Sequence, residues 1–438
     1  MKLHLTSLGC SKNLVDSEMM LGRLRAAGWA IVPGPEPADV IVVNTCSFIE
    51  DAVDESIDTI LALAKYKRTG ACRRLIVAGC LPERFREEIA AALPEVDVFL
   101  GTGAFDRIAE AAADAPGLPA CLLPDPGLVK HPAKSAPRIQ TFSHMAYLKV
   151  AEGCNRRCTY CVIPKLRGRQ KSRTVEDIVS EARSMIDAGV KELILVAQDT
   201  TSYGKDLSPP VDFSRLLGKI SALSDTVWLR FLYGHPESID EKVIAAVASR
   251  RNICSYFDVP IQHVSDRILK QMGRNYSCDD VLRLFDSIRY LVPEVSLRTT
   301  VLVGFPGETD ADFELLLSVI EDIRFDHLGV FMYSDFKDLP SHHLSGRVPG
   351  QVAQARLDRV MARQQEISLE NNRRHINREF EVLVEEANED TLFTGRTSFQ
   401  APEVDGVTYI RAENLKTGHF TQVKIVDALA YDLIGEAG

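Results

Sequence analysis

Hydrophobic and polar positions follow three different patterns along the chain. Up to about residue 113, short apolar runs such as KLHLTS, ADVIVVNT and RLIVAG are each followed by a stretch with helical periodicity, such as LVDSEMMLGRLRAAGW. Alternation of strands and helices is typical of a parallel sheet that is covered by helices on both faces. The pattern therefore predicts an N-terminal α/β domain over residues 1–113.

A longer alternation of the same kind occupies residues 139–374. Its strand candidates are MAYLKV, ELILVAQ, VWLRFLY, YFDVPIQ, VSLRTTVLVGF and LGVFMYS, and a long helical stretch beginning near QVAQARLDRV closes it. Six β/α units in this length favour an incomplete (β/α)6 barrel over the eight-unit barrel. Residues 114–138, between the two alternations, hold six of the 21 prolines, which predicts a linker or an irregular wrapping segment.

From residue 375 to residue 438 the pattern changes to strands alone. Five short runs follow one another, FEVLVEE, TLFTGRTSF, VTYIRAEN, HFTQVKIVDAL and AYDLIGE. This pattern predicts a small C-terminal antiparallel β-barrel of OB-like type. The fold class expected for the whole chain is α/β, with this small barrel appended.

Composition narrows the class of protein. The chain has 438 residues, 45% of them hydrophobic and 26% charged, with a formal net charge of −10. That charge argues against a general affinity for nucleic acid. The beginning of the sequence lacks a signal-peptide pattern, and no run approaches the ~20 apolar residues that span a bilayer. We therefore expect a soluble, cytoplasmic protein, in which ten cysteines indicate metal binding or catalysis rather than disulfides.

Three cysteines, Cys154, Cys158 and Cys161, lie in the motif GCNRRCTYC, directly after the first strand candidate of the barrel. A disulfide cluster, a zinc site, a chance group of structural thiols and an iron–sulfur cluster are the alternatives. Zinc would require a fourth Cys or His at short spacing, and the nearest downstream histidine, His235, is far along the chain. A four-iron cluster takes one thiolate per iron, so three cysteines leave one iron open to another ligand. The spacing favours this last interpretation.

A second set of three cysteines is spread over the N-terminal domain. Cys10, Cys46 and Cys80 each follow a strand candidate. Because the carboxyl ends of parallel strands lie along one edge of a sheet, we expect the three thiols to converge in a shared metal site rather than to be buried independently. Cys72 precedes its strand and should lie at the opposite edge. Cys72, Cys121, Cys254 and Cys278 show no pattern and are interpreted as structural.

Further residues near the predicted barrel mouth are candidates for binding a cofactor. Gln198, Asp199 and Thr200 follow a barrel strand, and Gly304 and Gly307 lie in LRTTVLVGFPGE. The basic stretch LRGRQKSR contains Arg167, Arg169, Lys171 and Arg173, and we count Arg173 among the cofactor-binding candidates. Loop capping, a tight turn and a solvated basic surface are the structural alternatives for these three groups. No catalytic residue is predicted beyond the cluster ligands.

The six-unit barrel with CxxxCxxC after its first strand resembles the radical S-adenosylmethionine superfamily. Together with SLGCSKNLVDSE, VNTCSFI, AGCLPER and EGCNRRCTYCVIP, the resemblance extends to the methylthiotransferase family and covers nearly the whole chain. It implies that Cys154, Cys158 and Cys161 hold the radical-generating [4Fe–4S] cluster and that Cys10, Cys46 and Cys80 hold an auxiliary one. It further implies that Gly304 and Gly307 lie on the adenine side of the cofactor and that the C-terminal module is a TRAM domain.

The resemblance also implies a reaction. One molecule of S-adenosylmethionine gives a methyl group to sulfur held at the auxiliary cluster. A second molecule is cleaved to a radical that activates a C–H bond, and the methylthio group is transferred to that carbon. A reductant and a sulfur donor are therefore expected as partners.

Members of the family modify either an adenosine in transfer RNA or an aspartate in a ribosomal protein. Residues 375–438 contain five Lys or Arg and twelve Asp or Glu, a net charge of −7, which suits a basic protein better than RNA. The stretches APEVDGVTYI and SLGCSKN also resemble the ribosomal-protein subgroup. We therefore expect transfer to the β-carbon of an aspartate in small-subunit ribosomal protein twelve.

Two other functions stay open at this point: a transfer-RNA adenosine methylthiotransferase and a non-enzymatic iron–sulfur carrier. A structural zinc module is a third alternative. One stretch departs from the family pattern, because residues 335–346 read DFKDLPSHHLSG where a short turn containing Gly-Thr is usual. The sequence does not indicate what this loop does.

Overall fold

The computed structural model describes residues 1–128, 138–389 and 391–438. Residues 129–137 of the proline-rich segment predicted at 114–138 therefore lie outside the described residues. The N-terminal region forms one parallel sheet in the order β2-β1-β3-β4-β5-β6. Its strands are β1 Lys2–Ser7, β2 Ala30–Ile31, β3 Val40–Thr45, β4 Arg74–Gly79, β5 Val98–Leu100 and β6 Cys121–Leu122. The last strand lies within the segment predicted as a linker.

Helices cover both faces of this sheet, as predicted. They are α1 Ser11–Ala26, α2 Glu50–Ala64, α3 Tyr66–Thr69, α4 Cys80–Phe85, α5 Glu87–Ala92 and α6 Ile108–Ala112, with a 3-10 turn at Phe105–Arg107. Successive side chains of a strand point to opposite faces, so an almost entirely apolar strand such as β3 needs both faces covered. Val40 and Val42 pack in one hydrophobic cluster with α1, and Ile41 and Val43 pack in another with α2.

The central region contains six parallel strands in sequential order. They are β7 Met145–Lys149, β10 Glu192–Val196, β11 Trp228–Phe231, β12 Tyr256–Asp258, β13 Ser296–Val303 and β14 His327–Met332. Two groups of three strands are joined by a single parallel bridge, Leu229 to Ile253. Among the described residues no pairing joins β7 to β14, so the barrel is incomplete, as the six-unit pattern predicted.

Helices and short strands connect these six strands. The short strands are β8 Ala151–Glu152 and β9 Lys171–Ser172. The helices are α7 Ile163–Arg167, α8 Val175–Asp187, α9 Phe213–Ser221, α10 Glu241–Ala248, α11 Asp266–Gln271, α12 Cys278–Leu291, α13 Asp310–Ile323 and α14 Gly350–Arg373, with 3-10 turns at Thr200–Ser202, Pro236–Ser238 and Pro340–His343. None of the helices in the described part of the chain is both long and apolar enough to cross a membrane.

The C-terminal region is a closed five-stranded barrel in the order β15-β16-β17-β19-β18. Its strands are β15 Glu379–Glu389, β16 Leu392–Thr397, β17 Thr408–Arg411, β18 Phe420–Ala428 and β19 Leu433–Glu436. It packs against the amino ends of the central strands, where Trp228 Nε1 donates to Glu381 at 3.2 Å and Ser296 Oγ donates to the carbonyl of Phe399 at 3.3 Å. The opposite, carboxyl ends of those strands form the mouth of the central barrel.

Candidate active site

The first set of thiols lies at one edge of the N-terminal sheet. Cys46 and Cys80 directly follow β3 and β4, and Cys10 follows β1 at the start of α1. The charges of the three thiols influence one another, which places them in one neighbourhood. Cys72 precedes β4 and therefore lies at the other edge, with its Sγ 3.4 Å from the carbonyl oxygen of Arg74. The parallel topology thus brings together residues that are more than thirty positions apart.

Two glycines allow the chain to pass close to these thiols. Gly9 has φ +87°, and a Cβ there would lie 2.7 Å from the Cβ and 3.1 Å from the Sγ of Cys46. Gly79 has φ +102°, and a Cβ there would lie 2.5 Å from Oδ1 of Asn44 and 2.7 Å from the carbonyl oxygen of Thr45. Only glycine combines the left-handed backbone with so little space. Both turns therefore form a backbone cradle beside the cysteines.

The electrostatic environment differs among the three thiols. Burial raises the pKa of the Cys80 thiol to about 12, despite the nearby guanidinium of Arg167. Burial likewise raises the pKa of Cys46. Desolvation by the surrounding protein acts in the same direction on Cys10, although this residue is exposed at the surface, but the cations of Lys12 and Arg167 outweigh it and lower the pKa of that thiol. The site thus combines thiol donors with fixed positive charge, which stabilises thiolates.

The second set of thiols lies on the loop after β7, at the barrel mouth. The Cys154 amide donates to the carbonyl of Gly168 at 3.1 Å, and Thr159 donates from its amide to Met272 and from its hydroxyl to Gln271. Gly153 has φ +79°, and a Cβ there would collide with the backbone carbonyls of Gly168 and Arg169. The loop is thereby fixed at its start and in its middle.

Burial raises the pKa of two thiols in this second set, that of Cys154 to about 11 and that of Cys161 to about 12. Arg274 lies beside Cys158 and Cys161, and its Nε and Nη2 donate to the Tyr160 hydroxyl at 3.1 and 2.8 Å. Sequence reasoning missed Arg274, since the motif gives no sign of a partner more than a hundred positions away.

Arg167 connects the central domain to the N-terminal set of thiols. It ends helix α7, six residues after Cys161, yet its guanidinium lies against the N-terminal domain. Nη1 donates to Asp16 Oδ2 at 2.6 Å, and Nη2 donates to Asn13 Oδ1 at 2.9 Å and lies 3.5 Å from Cys80 Sγ. The side chain is only 3% exposed. The edge of the N-terminal sheet therefore faces the barrel mouth across a buried polar junction.

Lys149 reinforces the same junction from the end of β7. Its ammonium is ion-paired with Asp16 of α1 and, at 2.7 Å, with Oε2 of Glu152. Glu152 also accepts a hydrogen bond of 2.5 Å from Nε2 of Gln198. A continuous chain of charged and polar contacts thus runs from α1 to the predicted cofactor-binding residue Gln198.

The other candidates after β10 have strong structural partners. Asp199 accepts from Arg156 Nε at 2.9 Å and from Ser202 Oγ at 2.7 Å, and it caps the 3-10 turn at Thr200–Ser202. Thr200 is fully buried and its Oγ1 accepts from the amide of Ala197 at 2.9 Å. Both residues shape the loop at the mouth, and a direct role in binding a cofactor stays a prediction.

Arg173 and the two glycines also have local explanations. Arg173 donates to Asp177 at 2.7 Å and to the carbonyl of Lys149 at 2.8 Å. Gly304 has φ +76°, and a Cβ there would lie 2.6 Å from the Cβ of Ala353 in α14. Gly307 has φ +84°, and its amide donates to the carbonyl of Gly346 at 2.7 Å. These residues lie near the carboxyl ends of the barrel strands, and their role in binding a cofactor stays a prediction.

The atypical loop 335–346 spans the cleft between the two domains. Phe336 and Leu339 pack with Cys80, Val162 and Leu166. Asp338 forms an ion pair of 2.9 Å with Arg84, whose guanidinium also lies 3.7 Å from the centroid of the Phe336 ring. The loop therefore covers the outer side of the junction between α4 and α7.

The donor chemistry of both sites fits clusters rather than single ions. All ten cysteines are free thiols. Within the described ranges, no three His, Cys, Asp or Glu side chains converge on a point that one metal ion could occupy. A four-iron cluster distributes its thiolates over separate irons, so wider spacing is compatible with it. Two sets of thiols, each with adjacent cations, suit anionic clusters.

Three family models match consecutive parts of the chain. Residues 2–101 match Uncharacterized protein family UPF0004, residues 148–320 match the Radical SAM superfamily, and residues 376–437 match the TRAM domain. The central match confirms the predicted barrel class, and the last confirms the predicted TRAM domain.

Solved structures support the fold. The radical S-adenosylmethionine methyltransferase TsrM from Kitasatospora setae superposes with a TM-score of 0.56 at 14% identity, over 75% of this chain and 72% of that one. The cobalamin-dependent radical enzyme OxsB gives a TM-score of 0.50 at 13% identity, over 84% of this chain and 56% of that one.

Closer relatives match from end to end. The ribosomal protein uS12 methylthiotransferase RimO of Desulfosudis oleivorans is 56% identical over 100% of both chains. The RimO proteins of Clostridioides difficile and Geobacter sulfurreducens are 46% and 44% identical over at least 98% of each chain. The protein therefore belongs to the RimO family of ribosomal protein uS12 methylthiotransferases, radical S-adenosylmethionine enzymes with a TRAM domain.

Proposed function

We propose that this protein transfers a methylthio group to the β-carbon of an aspartate in ribosomal protein uS12. Full-length identity of 56% to a relative named for modifying uS12 carries the assignment. The geometry supports it, because Cys80 of the N-terminal set packs against Val162 and Leu166, which directly follow the second set, and Arg167 lies 3.5 Å from its Sγ. A sulfur-transfer reaction that also needs a radical requires two such centres within reach of one substrate carbon.

We infer that each set of cysteines holds one [4Fe–4S] cluster. Cys10, Cys46 and Cys80 would hold the auxiliary cluster, and Cys154, Cys158 and Cys161 would hold the one that binds S-adenosylmethionine. When bound, the clusters and two molecules of S-adenosylmethionine per turnover would supply methylated sulfur on one side and a hydrogen-abstracting radical on the other. Burial raises the pKa values of Cys80 and Cys161, which favours the protonated thiols. Bound iron would stabilise the thiolates and so offset this effect.

The protein's own residues would position these groups. Arg167 and Lys149 hold α1 against the barrel mouth and so fix the separation of the two centres. Gln198, Asp199, Thr200 and Arg173 line the carboxyl ends of β7 and β10, where their polar groups could orient the amino acid and ribose portions of the cofactor. Gly304 and Gly307, after β13, would lie on the adenine side of the cofactor, as the resemblance to the family implies. Tyr160 and Arg274 are hydrogen-bonded to each other beside Cys158 and Cys161 and would brace this loop.

The charge of the C-terminal barrel favours a protein substrate over RNA. Five basic and twelve acidic residues give this region a net charge of −7. Some of these acids are internal, since Asp405 lies against Tyr256 and Arg298 and Glu385 pairs with Arg396. Others are exposed, including Glu379, Glu381, Glu386 and Glu413. Because this barrel lies at the amino ends of the central strands, its role would be to steer a basic partner rather than to contact the reacting carbon.

Reaction partners follow from the chemistry. A one-electron reductant is needed to activate S-adenosylmethionine, and a sulfur donor is needed to replace the sulfur transferred. Ribosomal protein uS12 would be met in the cytoplasm, where we place the enzyme.

A direct assay tests the assignment. The anaerobically reconstituted protein is incubated with S-adenosylmethionine, reductant and sulfide, and offered uS12 and unmodified transfer RNA in separate reactions. We expect the intact mass of uS12 to rise by one methylthio group and the transfer RNA to stay unchanged. Modification of the transfer RNA instead of uS12 would show that the protein is a transfer-RNA methylthiotransferase. Absence of S-adenosylmethionine cleavage would favour a non-enzymatic iron–sulfur carrier.

A further inference from the structure

Lys12 is a buried cation at the junction of the two domains. It lies in the first turn of α1, two residues after Cys10, and is only 8% exposed. Its ammonium lies 3.1 Å from the centroid of the Tyr233 ring. Across the described residues, no carboxylate forms an ion pair with it; the Cys10 thiolate is the main opposite charge that acts on it, and Tyr233 and Asp258 act on it more weakly.

A buried ammonium without a carboxylate partner is costly in folding free energy. The cost of desolvating a charge is offset only by an opposite charge or by several hydrogen bonds. Contact with the face of an aromatic ring offsets only part of this cost. Lys149 and Arg167, in the same junction, are both paired with Asp16. Lys12, in contrast, has no carboxylate partner in the part of the chain that the structure describes, so its ammonium can still accept one.

The surroundings of Lys12 hold its ammonium in place. Tyr233 follows β11 at the barrel mouth with φ +61°, a left-handed backbone conformation that is unfavourable for a non-glycine residue. Asp258 at the end of β12 fixes this conformation by accepting from the Tyr233 amide at 2.8 Å. The Ser11 hydroxyl lies 3.3 Å from the Tyr233 hydroxyl. The ring over which Lys12 lies is thus itself held from both domains.

Lys12 also lies between the N-terminal set of thiols and the barrel mouth. Cys10 is on one side of it, in the N-terminal set of thiols, and the barrel mouth is on the other. A carbon that receives sulfur from the first side and loses hydrogen to the second must approach between them. The first turn of α1 therefore presents a cation to that space.

We propose that the Lys12 ammonium binds the side-chain carboxylate of the substrate aspartate and thereby determines specificity for an acidic side chain. The inference rests on the proposed function, since it names the contact that would recognise the aspartate of uS12. Binding of the carboxylate gives the ammonium a carboxylate counter-ion in addition to the nearby Cys10 thiolate, and orients the adjacent β-carbon. A neutral substrate such as asparagine or adenosine offers no such charge.

Peptide binding measures this contact without turnover. The full-length, cluster-loaded protein is titrated anaerobically, without reductant, with a uS12 peptide containing the target aspartate and with the same peptide containing asparagine. Because a hydrogen bond between charged groups contributes about 1.5–3 kcal/mol, the wild type should bind the aspartate peptide roughly tenfold to a hundredfold more tightly. Lys12→Met should abolish this preference, and Lys12→Arg should keep most of it.

A matched variant controls for the loss of one lysine. Lys219, on the outer helix α9, is exposed, and Lys219→Met should keep the full preference. Equal affinity of the wild type for both peptides would overturn the proposal without any variant, even if Lys12→Met fails to fold. It would also be overturned if Lys12→Met kept the preference, or weakened the binding of both peptides equally. Failure of the proposed function is distinguishable, because the wild type would then leave uS12 unmodified whatever its affinity for the peptides.

Discussion

Arg167 shows what a single side chain contributes at the centre of the molecule. It belongs to the domain that carries one set of thiols but contacts Asp16, Asn13 and Cys80 of the domain that carries the other. A guanidinium offers five donors in a fixed plane, so it can meet three acceptors at once in a defined geometry. Arg167 therefore contributes directly to the docking of the two domains, beside the ion pair of Lys149 with Asp16.

Removal of that charge should be costly. Arg167→Gln leaves the buried carboxylate of Asp16 with only Lys149, and breaking a buried ion pair costs about 3–5 kcal/mol. We expect a clear loss of stability in urea unfolding, and a smaller loss for Arg167→Lys, which retains the charge. Unchanged midpoints for Arg167→Gln would contradict the role assigned to this residue.

His375 predicts a pH dependence of stability. It stacks on Phe399 with 4.5 Å between ring centroids, its Nδ1 has no hydrogen-bond partner, and burial lowers its pKa to about 4. The unfolded chain would protonate this histidine near pH 6.5, so between about pH 6.5 and about pH 4 the unfolded state binds more protons. Stability should therefore fall across this range as the pH drops, by up to about 3 kcal/mol from this group.

Thermal unfolding of a His375→Phe variant measures that contribution. The phenyl ring keeps the stacking but cannot be protonated, so the difference in midpoint between pH 7.5 and pH 5 should be smaller than in the wild type. Comparison of the two proteins at each pH cancels the titration of all other groups. An identical pH dependence would show that His375 does not titrate in this way.

The cysteines could be predicted from the sequence because their positions depend on topology alone. The carboxyl ends of β1, β3 and β4 meet at one edge, whichever side chains surround them. The cations Lys12, Arg167 and Arg274 could not be assigned, since their roles depend on partners far along the chain. The polar residues after β10 fall between these cases: their loop was predicted, but their contacts with Arg156 and Glu152 were not.

Periodicity predicted most of the longer helices and strands. Each of the six central strands and five C-terminal strands lies at a predicted apolar run. The strands β2 and β6 have two residues each and were missed, because two positions cannot show an alternating pattern. Cys121 belongs to β6, which pairs with β5 at the edge of the sheet, so this residue is part of the sheet and not of a linker.

The loop 335–346 shows how an element without periodicity acquires a defined place. Its contacts come from the N-terminal domain, through Arg84, and from the cluster loop, where the Thr159 carbonyl accepts from the Ser341 amide at 3.0 Å. The sequence contains no signal for either partner. The departure from the usual Gly-Thr turn thus provides a cover over the domain junction.

Limited proteolysis tests that cover. Lys337 is exposed but lies between the anchored residues Phe336 and Asp338. A Phe336→Ala, Asp338→Ala double variant removes both contacts with Arg84, and we expect trypsin to cleave after Lys337 several-fold faster than in the wild type. Cleavage at other sites should be unchanged. Equal rates at Lys337 would show that these contacts do not hold the loop.

At the scale of the whole molecule, Glu192 fixes the C-terminal barrel to the central one. Its carboxylate accepts hydrogen bonds from Nε of Arg230 at 2.7 Å and from Nη2 of Arg396 at 2.6 Å. All three side chains are at most 2% exposed. Removal of a shared counter-charge leaves two buried arginines facing each other. This network could not be predicted, because it depends on how two separate barrels dock.

Glu192→Gln should therefore destabilise the assembly by about 3–5 kcal/mol, measured as the shift in urea unfolding. Glu386 of β15 is an exposed acid in the same C-terminal barrel and provides the control. Glu386→Gln should change stability by less than about 0.5 kcal/mol. Equal effects of the two substitutions would mean that the buried network contributes little.

The central claim is that one chain holds two iron–sulfur clusters face to face, each on its own set of three cysteines. Iron and acid-labile sulfide per chain, measured after anaerobic reconstitution, test it most directly. We expect about eight irons in the wild type, and about four in each of two variants in which Cys10, Cys46 and Cys80, or Cys154, Cys158 and Cys161, are replaced by alanine. About four irons in the wild type, or no loss in either variant, would contradict the account.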